Sequence, residues 1–293
     1  MRLVTAEELV RLPRPAIDWL IHRLIPRPGL ILLLGPPKAG KSYLALQVAF
    51  SVARGGEFLG QKCEPTKVLY LQVDTSTALW TDRLVQLEEA GVDISGPVQF
   101  VHPDDDGRVN VLTDEGRARL REILRQSGAP FIIIDVLREI HTGDENKSHE
   151  MKTVGDYLID LLVGRSVLLV HHTKKIPADV TDPDPVLYGR GSTYLTGKMD
   201  ANWLLYRGKL RVQSRFDEDI TWKAERTDTG TWAFPEAGAR RDMRIILLKL
   251  CKEFPESTHA KIADVARDRL NISRATYYRL IAGHRCEHSK PQV

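Results

Sequence analysis

The sequence has few cysteines and no long hydrophobic run. Its three cysteines, Cys63, Cys251 and Cys286, form no CxxC pair. They therefore predict neither a disulfide framework nor a zinc site, and are interpreted as buried or incidental thiols. The longest apolar run, Leu30–Leu34 with its flanks, is far shorter than the roughly 20 residues of a membrane span, and the N-terminus shows no signal-peptide pattern. We expect a cytoplasmic protein in a reducing compartment, without a membrane partner.

The net charge of +3 is unevenly distributed along the 293 residues. From Gly238 to the end, twelve Lys and Arg face six acidic residues, which gives +6 and leaves −3 for residues 1–237. The content of 42% hydrophobic and 28% charged residues excludes general disorder and fits one large domain with an appendage, or two domains. Because the C-terminal part is basic and the remainder of the chain is acidic, we expect the C-terminal part to contact a polyanion.

The hydrophobic periodicity predicts an α/β fold. Short apolar runs without alternation are separated by amphipathic segments, as a parallel sheet buried on both faces requires. After Arg190 the runs alternate and predict added antiparallel strands. The predicted parallel strands are Leu30–Leu34, Lys67–Val73, Val98–Val101, Pro130–Asp135 and Ser166–Val170; the helices are Ser42–Arg54, Ala78–Ala90, Asp114–Gln126 and His149–Leu162; the antiparallel strands are Ala201–Arg207, Lys209–Phe216 and Ile220–Glu225.

A small helical domain is predicted at the C-terminus. Residues 227–239 are rich in Gly, Thr and Pro and lack periodicity, which is typical of a linker. Beyond them, three segments have helix-spaced apolar residues: Arg240–Glu253, Thr258–Leu270 and Ser273–Ala282. We therefore predict an N-terminal segment (1–28), an α/β domain (29–226), a linker (227–239) and an all-α domain (240–293), which we call the tail.

The strongest local motif is a complete GxxxxGK[ST] pattern between the first predicted strand and a helix. Its glycines allow backbone N–H groups to surround phosphates, and the helix N-terminus adds a favourable dipole. Lys41 would contact the β- and γ-phosphates, and the Ser42 hydroxyl would ligate Mg²⁺. The alternative is a glycine turn with an incidental lysine. The motif predicts an ATP site made of Gly35, Pro36, Pro37, Lys38, Ala39, Gly40, Lys41, Ser42 and Tyr43.

Two carboxylates follow predicted strands that end at the same edge of the sheet as this loop. Asp135 closes the strand Phe131–Asp135 and fits the role of the second Mg²⁺ ligand, the Walker B acid. Asp74 closes another strand and is the best-placed group to activate the attacking water. The alternative for Asp74 is an acid at a helix N-terminus, with Thr75 or Ser76 as the cap.

Two histidines, His171 and His172, end a further strand. We expect one of them, with His172 preferred, to sense the γ-phosphate or the Asp74 region through a hydrogen bond and to pass the nucleotide state to the next loop. A purely structural pair is the alternative. The pair lacks the additional ligands of a zinc site.

In their combined order, these motifs resemble those of RecA-type ATPases. More narrowly, they resemble the RepA-like hexameric helicases of plasmids and the related ATPases of phages and mobile elements. The resemblance covers about residues 15 to 225. It implies a RecA-like core, an AAA ATPase-like domain, that forms a hexameric ring with ATP between subunits and single-stranded DNA in the channel. The segments that carry it are Gly35–Ser42, Val68–Asp74, Ile133–Asp135, Gly143–Asn146, His171–Lys175 and Arg190–Ser192.

The resemblance also implies roles for five basic residues. Arg190 would act in trans as an arginine finger on the ATP of the neighbouring subunit, or alternatively pair with a carboxylate of its own chain. Arg207 and Lys209 are secondary choices for the same contact. Lys174 and Lys175 would face the channel and contact single-stranded DNA, and a solvated lysine pair is the alternative.

Two departures from the family pattern keep a second hypothesis open. Relatives carry Glu where this chain has Asp74, and the loop 176–188 contains Asp179, Asp182 and Asp184. A shorter carboxylate and an acidic loop favour an ATP-gated DNA-binding regulator or loader that does not unwind DNA. The complete set of core motifs favours the helicase. A recombination mediator that forms filaments is a third reading.

The tail resembles a helix-turn-helix unit, with Lys261–Ala266 in the first helix and Asn271–Leu280 in the turn and second helix. Ser273 would cap the second helix. The alternative is a small helical bundle that packs subunits together. If the tail is a helix-turn-helix unit, four side chains project outward to phosphates or base edges of duplex DNA: Arg274, Thr276, Tyr277 and Arg279.

Overall fold

Eight strands, which we number β1–β8 in chain order, form the central sheet. In the computed structural model they are β1 (Gly29–Gly35), β2 (Val68–Gln72), β3 (Val98–Val101), β4 (Phe131–Asp135), β5 (Ser166–His172), β6 (Ala201–Tyr206), β7 (Lys209–Ser214) and β8 (Ile220–Lys223). Their spatial order is β8-β7-β6-β1-β5-β4-β2-β3. The first six run parallel, and β7 and β8 are antiparallel. The predicted mostly parallel sheet with added antiparallel strands is confirmed.

The structure describes residues 3–12, 17–73, 75–101, 109–145, 147–190, 193–216, 219–235, 246–254, 257–270 and 272–281. Two apolar cores cover the two faces of the sheet within these ranges. Along β1, Ile31 and Leu33 lie in one core, and Leu32 and Leu34 in the other. Because successive side chains of a strand point to opposite faces, both sets must be apolar. This explains the unalternated runs in the sequence.

The helices lie on both faces of the sheet. Phe50 and Trp80 bring two helices into the first core, and Leu120 and Leu158 bring two others into the second. The predicted helices agree with the structure to within a few residues. Those of the α/β part are Ala6–Arg11, Lys41–Arg54, Thr77–Glu89, Asp114–Ser127, Ser148–Leu161, Pro185–Tyr188 and Thr193–Lys198, with a 3₁₀ turn at Leu137–Ile140.

Residues on both sides of the predicted domain borders belong to the sheet domain. Leu20 and Ile21, predicted in a separate N-terminal segment, lie in the first core. The short strands Glu225–Arg226 and Trp232–Ala233 pair as a hairpin, and Trp232 packs against the same core. The predicted linker 227–239 is therefore wrong for the residues up to 235, while 236–239 lie outside the described ranges. We call the described residues up to 235 the body.

The described tail residues are largely helical. Residues 246–253 form one helix, followed by His259–Leu270 and Arg274–Ile281. Their shared core includes Leu247, Ala263 and Tyr277. The helices agree with the three predicted ones where the chain is described, and residues 240–245 and 282–293 lie outside these ranges.

The cysteines and the search for a membrane-spanning helix complete the description of the fold. Cys63 and Cys251 are buried free thiols, as predicted, and burial raises the pKa of the Cys63 thiol to about 12. Cys286 lies outside the described residues. In the part of the chain that the structure describes, no helix combines the length and apolar character needed to cross a bilayer.

Candidate nucleotide site

The phosphate loop joins β1 to the helix Lys41–Arg54. Lys38 and Gly40 have φ angles of +61° and +84°, in the left-handed region. A Cβ at Gly40 would lie 2.9 Å from the Trp232 indole, so backbone conformation and space both require glycine there. Because the prolines at 36 and 37 lack an N–H, the donors for a phosphate come from residues 38–42. The loop is a cradle of backbone N–H groups at a helix N-terminus, which fits a bound phosphate.

Lys41 is the buried cation of this loop. Its Nζ donates hydrogen bonds to the carbonyls of Gly35 at 3.0 Å and Pro36 at 2.9 Å. The same Nζ donates to Nδ1 of His172 at 3.3 Å. The ammonium group therefore lies beside the loop backbone, where it can exchange these neutral acceptors for stronger, charged phosphate oxygens.

Asp135 occupies the end of β4, where it is fully buried. The Tyr70 hydroxyl donates to its Oδ2 at 2.7 Å. The Val73 N–H donates to the Asp135 carbonyl at 3.2 Å, which brings the ends of β2 and β4 together. Asp74 itself lies outside the described residues, so its role as the water-activating group stays a prediction.

The two histidines at the end of β5 have different neighbours. His172 stands opposite Gly35 in the parallel register of β5 and β1, and its Nδ1 contacts Lys41. Burial and the Lys41 charge lower the pKa of His172 to about 4, and burial lowers the pKa of His171 to about 4. Both rings are therefore neutral at neutral pH. His171 Nε2 instead donates to the Arg190 carbonyl at 3.1 Å, so the two rings have different hydrogen-bond partners.

Arg190 is connected to the histidine strand and to a buried carboxylate. Its N–H donates to the His172 carbonyl at 2.9 Å. Its Nε lies 2.8 Å from Oε2 of Glu145, whose side chain is buried, while half of the Arg190 side chain is exposed. His141 lies near Glu145, and burial lowers the pKa of this histidine. In this structure Arg190 forms the intrachain carboxylate pair that the sequence left as an alternative, yet it remains at the surface.

Three of the other predicted basic residues lie on loops or turns, and Lys209 begins a strand. Lys174 Nζ donates to the Leu187 carbonyl at 3.2 Å, and Lys175 is exposed. Arg207 Nη1 donates to the Ala178 carbonyl at 3.1 Å, and Lys209 is exposed at the start of β7. These observed contacts involve neither Lys41 nor His172.

The tail contradicts one predicted DNA contact. Tyr277 is fully buried and its hydroxyl lies 2.8 Å from Nδ1 of His259, so the prediction that it projects outward is wrong. The neighbouring Tyr278 is the exposed one. Arg274 forms a two-point contact with the Asp264 carboxylate. The side chains of Thr276 and Arg279 lie outside the described residues.

Trp232 is a part of the site that sequence reasoning missed. Its Nε1 donates to the Gly40 carbonyl at 3.0 Å. Its backbone N–H and C=O pair with the Gln47 side-chain amide at 2.8 and 3.0 Å. The hairpin is therefore fixed on the phosphate loop and on the helix that follows. The only sequence signal was a single tryptophan within a Gly- and Thr-rich stretch.

The residues present fit Mg²⁺ and a nucleoside triphosphate. The Ser42 hydroxyl and the Asp135 carboxylate are oxygen donors, which Mg²⁺ prefers. Among the described residues, no group of three or more His, Cys, Asp or Glu side chains could hold a metal ion. Two protein oxygens suit a Mg²⁺ ion that binds mainly through phosphates and water.

Comparisons with known proteins show the family and the fold of the chain. A family model described as an AAA domain (AAA_25) matches residues 1–178. A solved structure titled "ATPase Domain of G40P" has 14% sequence identity and a TM-score of 0.53, with 70% of this chain and 84% of that chain covered. The KaiC-like protein PH0186 from Pyrococcus horikoshii OT3 has 14% identity and a TM-score of 0.46, with 73% and 93% covered. The chain thus belongs to the AAA-domain family of P-loop ATPases, on a RecA-type fold.

Proposed function

We propose that the chain is an ATP-hydrolysing motor that acts on DNA, a ring-forming replicative helicase of the RepA-like type found in plasmids, phages or mobile elements. The observation that carries this proposal is the meeting of the phosphate loop with the end of β5, where Lys41 Nζ lies 3.3 Å from His172 Nδ1. Such a contact connects the nucleotide site to the loop that follows β5. Membership of the P-loop ATPase family supports the binding of a nucleotide at this loop.

We assign a role to each of the predicted site residues. Lys41 would release the carbonyls of Gly35 and Pro36 and neutralise the β- and γ-phosphates. Ser42 and Asp135 would hold Mg²⁺, which supplies positive charge to the phosphates when bound. Asp74 would orient and deprotonate the attacking water.

His172 is suited to report the nucleotide state. It is neutral at neutral pH and accepts a hydrogen bond from Lys41. If Lys41 moves to a phosphate, the imidazole loses this donor and is free to rearrange. The His172 carbonyl accepts the N–H of Arg190, so a shift of this strand end reaches Arg190 directly.

Arg190 and the two lysines would act between subunits and on DNA. The Arg190 side chain is half exposed, which leaves it accessible to the ATP of a neighbouring subunit in a hexameric ring. Lys174 and Lys175 are exposed on the loop after β5, where they could contact the backbone of single-stranded DNA.

A second candidate function is an ATP-gated DNA-binding regulator or loader that does not separate strands. The loop after Lys175 is acidic: Asp179 and Asp182 are exposed, and Asp182 pairs with Arg211 at 3.4 Å. Negative charge there opposes a tight grip on DNA. In the tail, the Arg274 guanidinium already donates to the Asp264 carboxylate, which opposes its contact with DNA.

A strand-displacement assay on forked DNA separates the two functions. The helicase proposal predicts unwinding that depends on ATP and is lost in Lys41→Ala. Turnover of ATP without unwinding of any forked substrate would contradict the helicase proposal and support the regulator.

Two further measurements test the assembly and the tail. With a non-hydrolysable ATP analogue and single-stranded DNA, electron micrographs should show closed rings, whereas filaments would support a recombination mediator.

Deletion of residues 240–293 should weaken duplex binding and leave ATP binding intact. Unchanged duplex affinity across a salt titration would contradict the role of the tail.

A further inference from the structure

Arg190 and Glu145 line a cleft of about 290 Å³ beside the end of β5. Residues 142–144, Arg138 and Glu150 complete its lining. The Glu145 side chain is only 4% exposed, whereas that of Arg190 is 50% exposed. The cleft therefore presents an arginine to solvent and hides the carboxylate that pairs with it. None of the roles assigned so far uses this carboxylate.

The backbone of Arg190 is fixed on the end of β5. Its N–H donates to the His172 carbonyl at 2.9 Å, and its carbonyl accepts from His171 Nε2 at 3.1 Å. Close by, the Lys174 N–H donates to the Tyr188 carbonyl at 2.9 Å. The strand end thus determines where the arginine begins, and the rotatable bonds of its side chain are what remains to be fixed.

Glu145 restricts that side chain from a turn that is itself well fixed. Its Oε2 lies 2.8 Å from Nε of the arginine. Arg138 Nη1 donates to the Gly143 carbonyl at 2.7 Å. The Asp144 N–H donates to Oε2 of Glu150 at 2.7 Å. Because a guanidinium is a rigid plane, a carboxylate held in place on one of its nitrogens fixes the direction of the others.

The charge of Glu145 also favours a lasting pair. Within the described ranges, its ion-pair partners are Arg190 and His171, whose Nδ1 lies 3.9 Å from Oε1. His171 is neutral at neutral pH because burial lowers its pKa to about 4, so the compensating positive charge comes from Arg190. Withdrawal of the guanidinium would leave a buried carboxylate without its counter-charge, which is strongly unfavourable. We therefore expect Arg190 to keep this pair while it contacts a second group.

We propose that Glu145 is a positioning residue for Arg190, which it holds by Nε so that the two Nη groups reach the ATP of the neighbouring subunit. A guanidinium carries N–H donors on all three nitrogens, so one edge can bind a carboxylate while another binds a phosphate oxygen. The inference rests on the proposed function, in which Arg190 acts on a neighbour's ATP. It gives the buried carboxylate a part in catalysis without contact to the nucleotide.

The first test is the steady-state ATP turnover of the full chain with Mg²⁺ and single-stranded DNA. Arg190→Ala should lower kcat by about 10³-fold, as for the loss of an arginine finger. Glu145→Gln keeps the shape and removes the charge. It should lower kcat by about tenfold and leave the KM for ATP within about twofold, because a misdirected guanidinium affects mainly the transition state. The matched control is Glu150→Gln in the same cleft, whose carboxylate pairs with Lys147 at 3.1 Å and which should keep wild-type turnover.

Two further measurements distinguish positioning from a merely structural role. The double variant Glu145→Gln/Arg190→Ala should lose no more activity than Arg190→Ala alone, since Glu145 acts through Arg190. Mixed rings of Glu145→Gln and Lys41→Ala subunits should show a several-fold higher turnover per Glu145→Gln subunit. In such rings the Lys41→Ala subunit supplies a correctly directed arginine to the intact phosphate loop of its neighbour.

Each outcome has a distinct meaning. Wild-type or raised kcat in Glu145→Gln overturns the inference and leaves the proposed function intact. A loss that adds to that of Arg190→Ala, or no recovery in mixed rings, also overturns it. If Arg190→Ala turns over ATP like the wild type, or the wild type has no turnover, the proposed function fails and the inference with it. Should Glu145→Gln not fold, Glu145→Asp keeps the charge one methylene further away, with an expected loss of about threefold in kcat alone.

Discussion

The phosphate-loop edge of the body and the second helix of the tail differ in how the backbone positions their side chains. At the sheet edge, Lys41 and His172, both predicted as residues of the nucleotide site, lie 3.3 Å apart between Nζ and Nδ1. In the tail, Tyr277 points into the core and Arg274 is bound to Asp264. Parallel strands bring their carboxyl ends to one edge whatever the rotation of individual side chains. A helix presents each side chain in a direction set by its phase, and a shift of one residue rotates a contact by about 100°.

A substitution in the tail gives the largest expected change in stability. Tyr277→Ala removes a fully buried ring and should lower the stability of the tail helices by about 3–5 kcal/mol. Tyr278→Ala removes an exposed ring and should have little effect. Hydrogen exchange of residues 259–281 measures both. Equal loss of protection in the two variants would contradict the assignment of Tyr277 as the buried tyrosine, and a greater loss in Tyr278→Ala would show that the assignment is reversed.

At the sheet edge, the largest expected effect is on catalysis. Lys41→Ala removes the cation of the phosphate loop and should lower ATP turnover by about 10²–10³ fold. Exchange protection of the tail should not change. Lys152→Ala on an exposed helix face is the matched control. Turnover within tenfold of wild type, measured by phosphate release, would contradict the site.

The body should lose stability in acid through its histidines. His171 and His172 have pKa values of about 4 in the folded chain and about 6.5 when unfolded, so the unfolded state binds more protons between these values. Their contribution is fully present above pH 6.5 and is lost as the pH falls to 4, at up to about 1.4 kcal/mol per pH unit for His171 and less for His172, which is more accessible to solvent.

Urea unfolding of the body at pH 7.5, 6 and 5 measures this slope, and His172→Gln should make it shallower. A free energy of unfolding that does not change between pH 7 and 5 would be incompatible with neutral, buried histidines.

The smallest effect is expected at Asp264. Asp264→Asn releases the Arg274 guanidinium, and because exposed ion pairs contribute little, the stability of the tail should hardly change. Duplex affinity should rise by a few fold, and Arg274→Ala should reduce the salt dependence of binding by about one phosphate contact. Weaker duplex binding by Asp264→Asn would contradict a role for Arg274 in the proposed binding of duplex DNA by the tail.

Most of the sheet and the phosphate loop could be predicted because the signal for them is local. The run Phe131–Asp135 is apolar up to a terminal carboxylate, and the structure shows this strand with the same residues. The pairing of Glu145 with Arg190 could not be predicted, since both residues lie on loops whose paths depend on the whole sheet. The hairpin was also missed, because its strands have only two residues each and Trp232 binds Gly40, a residue 192 positions earlier.

The contact between Trp232 and Gly40 also makes the protein observable by fluorescence. Trp80, Trp203 and Trp222 are buried in the first core, where their emission depends little on solvent, and Trp19 packs against His22 and Phe216. Trp232 is only partly buried, and its indole N–H is bonded directly to the phosphate loop. A conformational change of the loop when a nucleotide binds therefore alters the environment of this indole. Intrinsic tryptophan emission can then report occupancy of the nucleotide site without any attached dye.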